Sequence, residues 1–265
     1  MKPIFRWTIG GATRNGYDCL ERSINSVLKL YGNTFDYYIL YNNSNIQMLR
    51  EIVGHKPVSL VAQSWEDSPI PIDCFSNKGT SIWKFCPARL NINCHEIVSD
   101  NDVVIVKKFK QMDEFLSRTD SVILVEDPIK FQGKFRHLFN NEKYNAGFVG
   151  LPPAYDLGNE MKKIWEQNGS PQTIGQSDEQ GLTTAALKKE KFILIAKERF
   201  LLVHAQGGTA HAHYNVETNK NDLEYYQVDF FGDNSDAYHF VGINKKDEHH
   251  HWELFKRQLK RGLVV

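Results

Sequence analysis

The chain of 265 residues is 41% hydrophobic and 24% charged, which is typical of a globular protein long enough to bury a sizeable core. Its 32 lysines and arginines are balanced by 32 aspartates and glutamates, so the formal net charge is zero. This balance excludes the basic surface with which proteins bind nucleic acids, and a phosphorylated ligand must be attracted by a local site.

Residues 1–16 contain only a short apolar run and lack the small-residue cleavage site of a signal peptide. No stretch approaches the roughly 18 apolar residues that a membrane span needs. We therefore expect a cytoplasmic protein without a transmembrane segment, which can still associate peripherally with the inner face of a membrane. Four cysteines without CxxC spacing are expected to be reduced core thiols: Cys19, Cys74, Cys86 and Cys94.

Strands and helices alternate over the first part of the chain. The predicted strands are 2–9, 35–41 and 58–61, and the predicted helices are 19–31 and 46–53. This β-α-β-α-β order predicts an α/β fold with a mainly parallel sheet and helices on both faces. Ligands of such sheets bind beyond the carboxyl ends of the strands, where we expect Gly10, Gly11, Asn42 and Asn43.

The remaining elements follow at similar spacing. A loop is predicted over 62–78 and a helix over 80–90. The further predicted strands are 95–99, 103–106, 122–125, 146–151, 192–196 and 200–203. The further predicted helices are 111–116, 158–167, 177–188 and 248–261. No repeat or linker divides the chain, so we expect a single domain over 1–265. The run His249-His250-His251 on the last helix is expected to be solvated surface.

The strongest chemical signal is Asp100-Asn101-Asp102, between two apolar strands. Alternate residues at the end of a strand direct two carboxylates into one small volume, where they repel each other unless a cation lies between them. A divalent ion with oxygen ligands suits such a pair and is commonly shared with substrate phosphates. The alternative is a polar turn, because Asp and Asn favour turns.

A β-α-β start followed by a strand and Asp-x-Asp resembles the GT-A glycosyltransferases. Three further segments resemble its retaining, glycogenin-like and blood-group-transferase-like members, and their order and spacing match over about residues 1–245. These segments are Ala88-Arg89-Leu90, Asn145-Ala146-Gly147 with Asp178-Glu179-Gln180-Gly181-Leu182 downstream, and His239-Phe240-Val241-Gly242-Ile243-Asn244-Lys245.

The resemblance implies a Rossmann-like GT-A fold and the metal-dependent transfer of a hexose from a nucleoside-diphosphate sugar, most often a UDP sugar, to a glycan or other acceptor with retention. It implies Mn²⁺ or Mg²⁺ as cofactor, held by Asp100, Asp102 and His239. Residues 1–106 would form the nucleotide-binding half, 107–245 the sugar and acceptor half, and 246–265 a C-terminal helix. Two alternatives are a sugar-nucleotide-binding protein without transferase activity and a nucleotide-sugar hydrolase.

The donor would be contacted by residues spread over the whole chain: Gly10, Gly11, Arg14, Arg89, Asn101, Asn145, Gly242 and Lys245. Gly242 lets the backbone approach a phosphate, and Lys245 supplies a charge to the diphosphate. The alternative for Gly10-Gly11 is a simple tight turn. The loop with His211 and His213 is either an acceptor contact or a structural loop.

Asp178 and Glu179 begin a predicted helix, whose N-terminal dipole favours ionised carboxylates. Ordinary placement of acids at a helix start is one interpretation. The resemblance implies instead that one of these side chains lies beneath the anomeric carbon of the sugar. A carboxylate there acts as a nucleophile or stabilises an oxocarbenium ion, and the sequence leaves both open.

Overall fold

The structure is a computed structural model, and it describes residues 1–74, 84–128, 130–172, 174–204, 235–245 and 250–260. Its strands are β1 Ile4–Gly10, β2 Asp36–Asn42, β3 Val58–Ala62, β4 Glu96–Asp100, β5 Val103–Ile105, β6 Ser121–Glu126, β7 Tyr144–Leu151, β8 Lys191–Ile195, β9 Phe200–His204 and β10 Ala237–Val241. Its α-helices are α1 Arg14–Tyr31, α2 Ile46–Val53, α3 Lys110–Leu116, α4 Leu157–Gln167, α5 Gln176–Leu187 and α6 His250–Lys260. Short 3-10 helices cover Trp65–Asp67, Ile72–Cys74, Gly133–Leu138 and Ile243–Lys245.

A seven-stranded sheet has the order β3-β2-β1-β4-β7-β6-β8, and β7 alone runs antiparallel to its neighbours. The predicted α/β fold with a mainly parallel sheet is confirmed. Thr8 of β1 pairs with Asp100 of β4, and Gly10 pairs with Asn42 of β2. The carboxyl ends of three neighbouring strands therefore meet at one edge, as the sequence predicts.

A second sheet of three strands, in the order β5-β10-β9, was not predicted. Its partner strands β5 and β10 are far apart in sequence, so local periodicity gives no sign of their pairing. Helix α6 covers this sheet, with the rings of Trp252 and Phe255 centred 5.0 and 5.2 Å from the ring of Phe240. His251, in the first turn of α6, is buried, so its predicted place on the solvated surface is wrong.

Two further expectations need comment. The predicted helix over 80–90 is wrong in its described part, because 84–90 form a short turn and bends. Pro87 accounts for this, since it lacks an N–H and disfavours helical backbone in the residue before it.

The four cysteines are free and buried, which confirms the thiol prediction. No helix formed by the described residues has the length and apolarity to cross a membrane, and His211 and His213 lie outside those residues.

A buried ionic trio anchors the beginning of β4. The carboxylate of Glu96 lies 2.9 Å from the guanidinium of Arg6 and 3.3 Å from that of Arg89. Arg6 also donates to the carbonyls of Pro87 and Ala88. Burial lowers the pKa of Arg6, and Glu96 opposes that shift. The trio thus fixes the segment around Pro87 against the strand that ends at Asp100.

Glu96→Gln is expected to destabilise the fold by about 3–5 kcal/mol, because it leaves two buried guanidinium groups without a counter-charge. Glu114→Gln, which removes an exposed partner of Arg118, is the control and should cost less than about 1 kcal/mol. Urea titrations give both free energies of unfolding. Similar losses in the two variants would contradict the assigned role of Glu96.

Candidate functional site

Asp100, Asp102 and His239, which we call the metal-ligand triad after their predicted role, meet at the edge where β4 ends. Asp100 is the last residue of β4, and Asp102 lies in the turn before β5. The backbone N–H of Phe240 donates to the carbonyl of Asp102 at 2.8 Å, which brings β10 alongside the turn. The Nε2 of His239 lies 3.2 Å from a carboxylate oxygen of Asp102 and 4.0 Å from one of Asp100.

One ligand atom from each residue of the triad lies within 4.8 Å of the others, and no second group of this kind occurs within the described ranges. The Nδ1 of His239 is buried without a hydrogen-bond partner, and the buried Oδ1 of Asp102 is the oxygen that faces the Nε2 of His239 at 3.2 Å. Two carboxylates and an imidazole fit a manganese-like or magnesium-like ion, so the residue types and their spacing agree. The three predicted ligands are therefore brought together.

The charges of the triad act on one another. Burial raises the pKa of Asp100, Lys84 lowers it, and the charge of Asp102 raises it further. For His239, burial favours the neutral form, but the charge of Asp102 outweighs this and its pKa is raised. The charge of Asp102 contributes to both shifts, so Lys84 does not fully balance the negative charge of the site, and a cation there would be favoured.

Gly147 explains part of the Asn-Ala-Gly segment. A Cβ at this position would lie 2.5 Å from the Cε1 of His239, closer than real side chains approach. Glycine is therefore required for His239 to reach the two aspartates while β7 passes next to it. The segment thereby leaves the space in which the triad forms.

Lys84 is a central residue that the sequence analysis did not select. Its buried Nζ lies 3.4 Å from Asp100 and 3.3 Å from Glu179, and it donates to the carbonyl of Ala146 at 3.2 Å. Burial lowers the pKa of Lys84, but the two carboxylates outweigh it and the pKa is raised. The available signal was a lone charge between the aromatic residues Trp83 and Phe85.

Glu179 lies in the first turn of α5 and is only 2% exposed. Burial raises its pKa to about 7, although the nearby Lys84 opposes the shift. The helix dipole, which was expected to keep this carboxylate ionised, is therefore outweighed by desolvation. Lys84 joins Glu179 to the metal-ligand triad through Asp100.

Asp178 has a different place from its neighbour. One of its oxygens accepts from the backbone N–H of Lys134 at 2.6 Å and the other from that of Gly175 at 2.8 Å. Both contacts are those of a helix-capping carboxylate. The structure does not bring Asp178 to the triad, in agreement with the alternative of ordinary acid placement.

Asn145 belongs to a buried polar group beside Glu179. Its amide donates to the carboxylate of Asp127 at 3.1 Å, and the amide of Gln180 donates to the same oxygen at 3.1 Å. The side-chain oxygen of Asn145 accepts from the backbone N–H of Gly147. Asp127 and Gln180 were missed because their meeting depends on the packing of α5 against the ends of β6 and β7.

Arg14 lines a cavity of about 660 Å³ between α1 and α2, together with Ala12, Tyr17, Asn43 and Asn45. Gly10 ends β1, and Gly11 has a φ of +57°, which a glycine adopts without strain. Gly10 and Gly11 therefore lie at the end of β1, the strand next to β4 with Asp100, and Arg14 begins α1 just after them.

The remaining predicted donor contacts, Asn101, Gly242 and Lys245, differ in their surroundings. Gly242 follows β10 with a φ of +90°, a conformation that glycine adopts without strain. The side chain of Lys245 lies outside the described residues. The amide of Asn101 is occupied by protein groups, namely the side chain of Asn244 and the carbonyl of Gly16.

Arg89 does not reach the site. Its guanidinium donates to four backbone carbonyls and contacts Glu96, which lies four residues before Asp100 along β4 and hence about 13 Å away. The carbonyls belong to Pro152, Tyr155, Asn91 and Cys94. The cation beside Asp100 is Lys84, so the expected contact of Arg89 with a nucleotide sugar is replaced by a structural role.

Several solved glycosyltransferase structures have a similar fold. The galactosyltransferase LgtC, solved with donor and acceptor sugar analogues, gives a TM-score of 0.61 at 11% identity and covers 98% of this chain and 100% of its own. Mouse xyloside xylosyltransferase 1 gives 0.54 at 10% identity, over 92% of this chain and 99% of its own. The bifunctional glycosyltransferase WbbM gives 0.57 at 14% identity, over 97% of this chain and 52% of its own.

No protein-family model and no curated protein sequence matches the chain. The three structural matches have low identity but span almost the whole chain. They establish the architecture of the chain. The chain has the GT-A fold that its sequence predicts.

Proposed function

We propose that the chain is a metal-dependent glycosyltransferase, which moves a hexose from a nucleoside-diphosphate sugar to a glycan or other acceptor with retention. The observation that supports this most strongly is the metal-ligand triad, joined through Lys84 to Glu179, at the strand edge of a GT-A fold. The likeness to an enzyme solved with donor and acceptor sugar analogues supports the same reaction class.

Asp100, Asp102 and His239 would hold Mn²⁺ or Mg²⁺. A bound ion of this kind neutralises a diphosphate and makes it a better leaving group. The three side chains leave coordination positions for phosphate oxygens and water, since such ions take about six ligands. The surplus negative charge of the site without a cation supports this assignment.

The other predicted residues are assigned by their position. The nucleoside, most simply uridine, is placed in the half formed by residues 1–106, along Gly10 and Gly11 and in the cavity lined by Arg14. The sugar is placed beside Asn145 in the half formed by 107–245. Gly242 and Lys245 are assigned to the diphosphate.

Glu179 is assigned to the anomeric carbon, either as nucleophile or as the group that stabilises an oxocarbenium ion. Both roles need the ionised carboxylate, and burial alone favours the protonated form. Lys84 favours ionisation, because its ammonium group lies 3.3 Å from Glu179. Lys84 therefore keeps Glu179 competent while also orienting Asp100.

The metal assignment is tested by a thermal-shift screen with Mn²⁺ and a panel of nucleotide sugars. A donor should raise the melting temperature only when the metal is present, because ligand binding stabilises the native state. Asp102→Asn should lose this metal-dependent shift, and Asp113→Asn on the exposed face of α3 should keep it. An undiminished shift in Asp102→Asn would remove Asp102 from the metal site.

The catalytic assignment is tested with Glu179→Gln, which should lower turnover by about 100-fold or more and leave donor affinity nearly unchanged. The stabilising interaction grows only as positive charge develops at the anomeric carbon. NMR of the product should show an α-linkage from an α-linked donor. A β-linkage would refute retention, and reaction without acceptor at the same rate would indicate a hydrolase.

The charge state of Glu179 is tested through stability in the presence of EDTA. Its pKa is raised to about 7 by burial, so the folded protein binds this proton more tightly than the unfolded chain does. The stability that this tighter proton binding gives the folded protein is fully present below pH 4.5, and it is lost as the pH rises towards and through 7. Glu179→Gln lacks this dependence, and the raised pKa of Lys84 keeps that group charged throughout.

We compare the free energy of unfolding of Glu179→Gln with that of the unmodified protein at each pH. The difference should be roughly 2 kcal/mol more favourable to the variant at pH 8 than at pH 5. Urea titrations at both pH values measure this difference. Glu114→Gln at an exposed position should show no such gain. An equal difference at the two pH values would show that Glu179 is ionised in the folded protein already at pH 5.

A further inference from the structure

Asn101 and Asn244 form an amide clasp beside the metal-ligand triad. The Nδ2 of Asn101 donates to the Oδ1 of Asn244 at 2.8 Å, and the Nδ2 of Asn244 donates to the Oδ1 of Asn101 at 2.9 Å. The two residues exchange both hydrogen bonds although 143 positions separate them. Asn101 is 3% exposed, so this pairing is shielded from water.

The first turn of α1 forms the third side of the clasp. The hydroxyl of Thr13 donates to the carbonyl of Ile243 at 2.7 Å, and its backbone N–H donates to the carbonyl of Asn244 at 3.3 Å. The Nδ2 of Asn101 also donates to the carbonyl of Gly16 at 3.2 Å. The segment after β10 is therefore held by both the metal-binding turn and α1.

Gly16 shows that this contact needs space. A Cβ at Gly16 would collide with the Oδ1 of Asn244. A glycine inside a helix costs about 0.5–1 kcal/mol relative to alanine, so its presence in α1 has a local disadvantage. The close approach of Asn244 to the helix accounts for that glycine.

We propose that the amide clasp is a positioning device that assembles the metal-ligand triad before metal or nucleotide binds. Asn101 stands between the two aspartates in sequence, so fixing its side chain fixes the turn that presents both carboxylates. Asn244 stands five residues after His239 and holds the end of β10 in register with that turn. This inference rests on the proposed metal site.

Neutral amides suit this task better than charged groups. A lysine in place of Asn244 would neutralise the carboxylates and compete with a metal ion, and an acid would add to their repulsion. Each amide of the pair donates to the oxygen of the other, and the remaining donors reach the carbonyl of Gly16 and, at 3.5 Å, the Oδ2 of Asp102. Because both side chains are neutral, they leave the charge of the triad unchanged. Mutation of residues that orient metal ligands without binding the metal themselves typically lowers metal affinity by about 10- to 100-fold.

The experiment measures binding of Mn²⁺ alone, without nucleotide, by electron paramagnetic resonance of the free ion. The variants are Asn244→Ala, Asn101→Ala and the double variant. Asn168→Ala is the matched control, because it removes an amide that donates to the carbonyl of Ile164 and accepts from the Nε2 of His137, outside the triad and the clasp. Urea titration of every variant records its stability.

Each single variant should weaken Mn²⁺ binding by about 10- to 100-fold, and the double variant should lose little more than one of them, because both break the same pair. The control should keep its Mn²⁺ affinity within about twofold. The proposal is overturned if Asn244→Ala binds Mn²⁺ as the unmodified protein does, if the losses add fully, or if the control loses affinity equally.

A second readout separates this proposal from the proposed function. Hydrogen exchange of the metal-free protein should show faster exchange at the amide of Phe240 in Asn244→Ala, because that amide bonds to Asp102 next to the clasp. If the unmodified protein binds no Mn²⁺, the metal assignment fails whatever the exchange shows. If Mn²⁺ binds but exchange is unchanged in the variant, the clasp alone is refuted.

Discussion

The charge balance around Lys84 is the constraint on which the site depends. One ammonium group lies between the carboxylates of Asp100 and Glu179, and Asp102 adds a third negative charge nearby. Buried carboxylates in such numbers are stable only with compensating charge. Lys84 compensates part of it, while burial and, to a smaller extent, the charge of Asp100 raise the pKa of Glu179. The uncompensated charge is the physical basis of the proposed cation at the triad.

The pairing of β10 with β5 builds the site from parts that are distant in sequence. It sets His239 beside Asp102, and the covering helix α6 gives the small sheet a core of its own. Gly147 and Gly16 leave the space that this arrangement needs on two sides. The C-terminal segment is thus a structural component of the triad, and Asn244 attaches it to the turn that contains Asn101 and Asp102.

Much of the fold could be predicted, because period-2 and period-3.6 patterns follow from local geometry. The bounds of β1, α1, β2 and α2 agree with the predicted ranges to within a few residues. The helix over 80–90 failed at Pro87, where an apolar spacing was given more weight than the proline. The pairing of β5 with β10 has no local signal, since it depends on contacts over more than a hundred residues.

The residues of the predicted site divide in the same way, into those with a sequence signal and those whose place depends on long-range contacts. Asp100, Asp102 and His239 could be predicted because metal ligation restricts residue types strongly. Arg89 was misassigned because an arginine beside a leucine can serve a buried ion pair as well as a phosphate, and only the path of the chain past Pro87 distinguishes the two. Lys84, five positions before Arg89, contacts Asp100 from the same segment. The positively charged side chain expected beside Asp100 is therefore this lysine. A charged residue between aromatic neighbours, as in Trp83-Lys84-Phe85, is therefore the better sequence signal for a buried charge that serves a site. The ammonium group of such a lysine needs a buried partner, because burying it alone would be too costly.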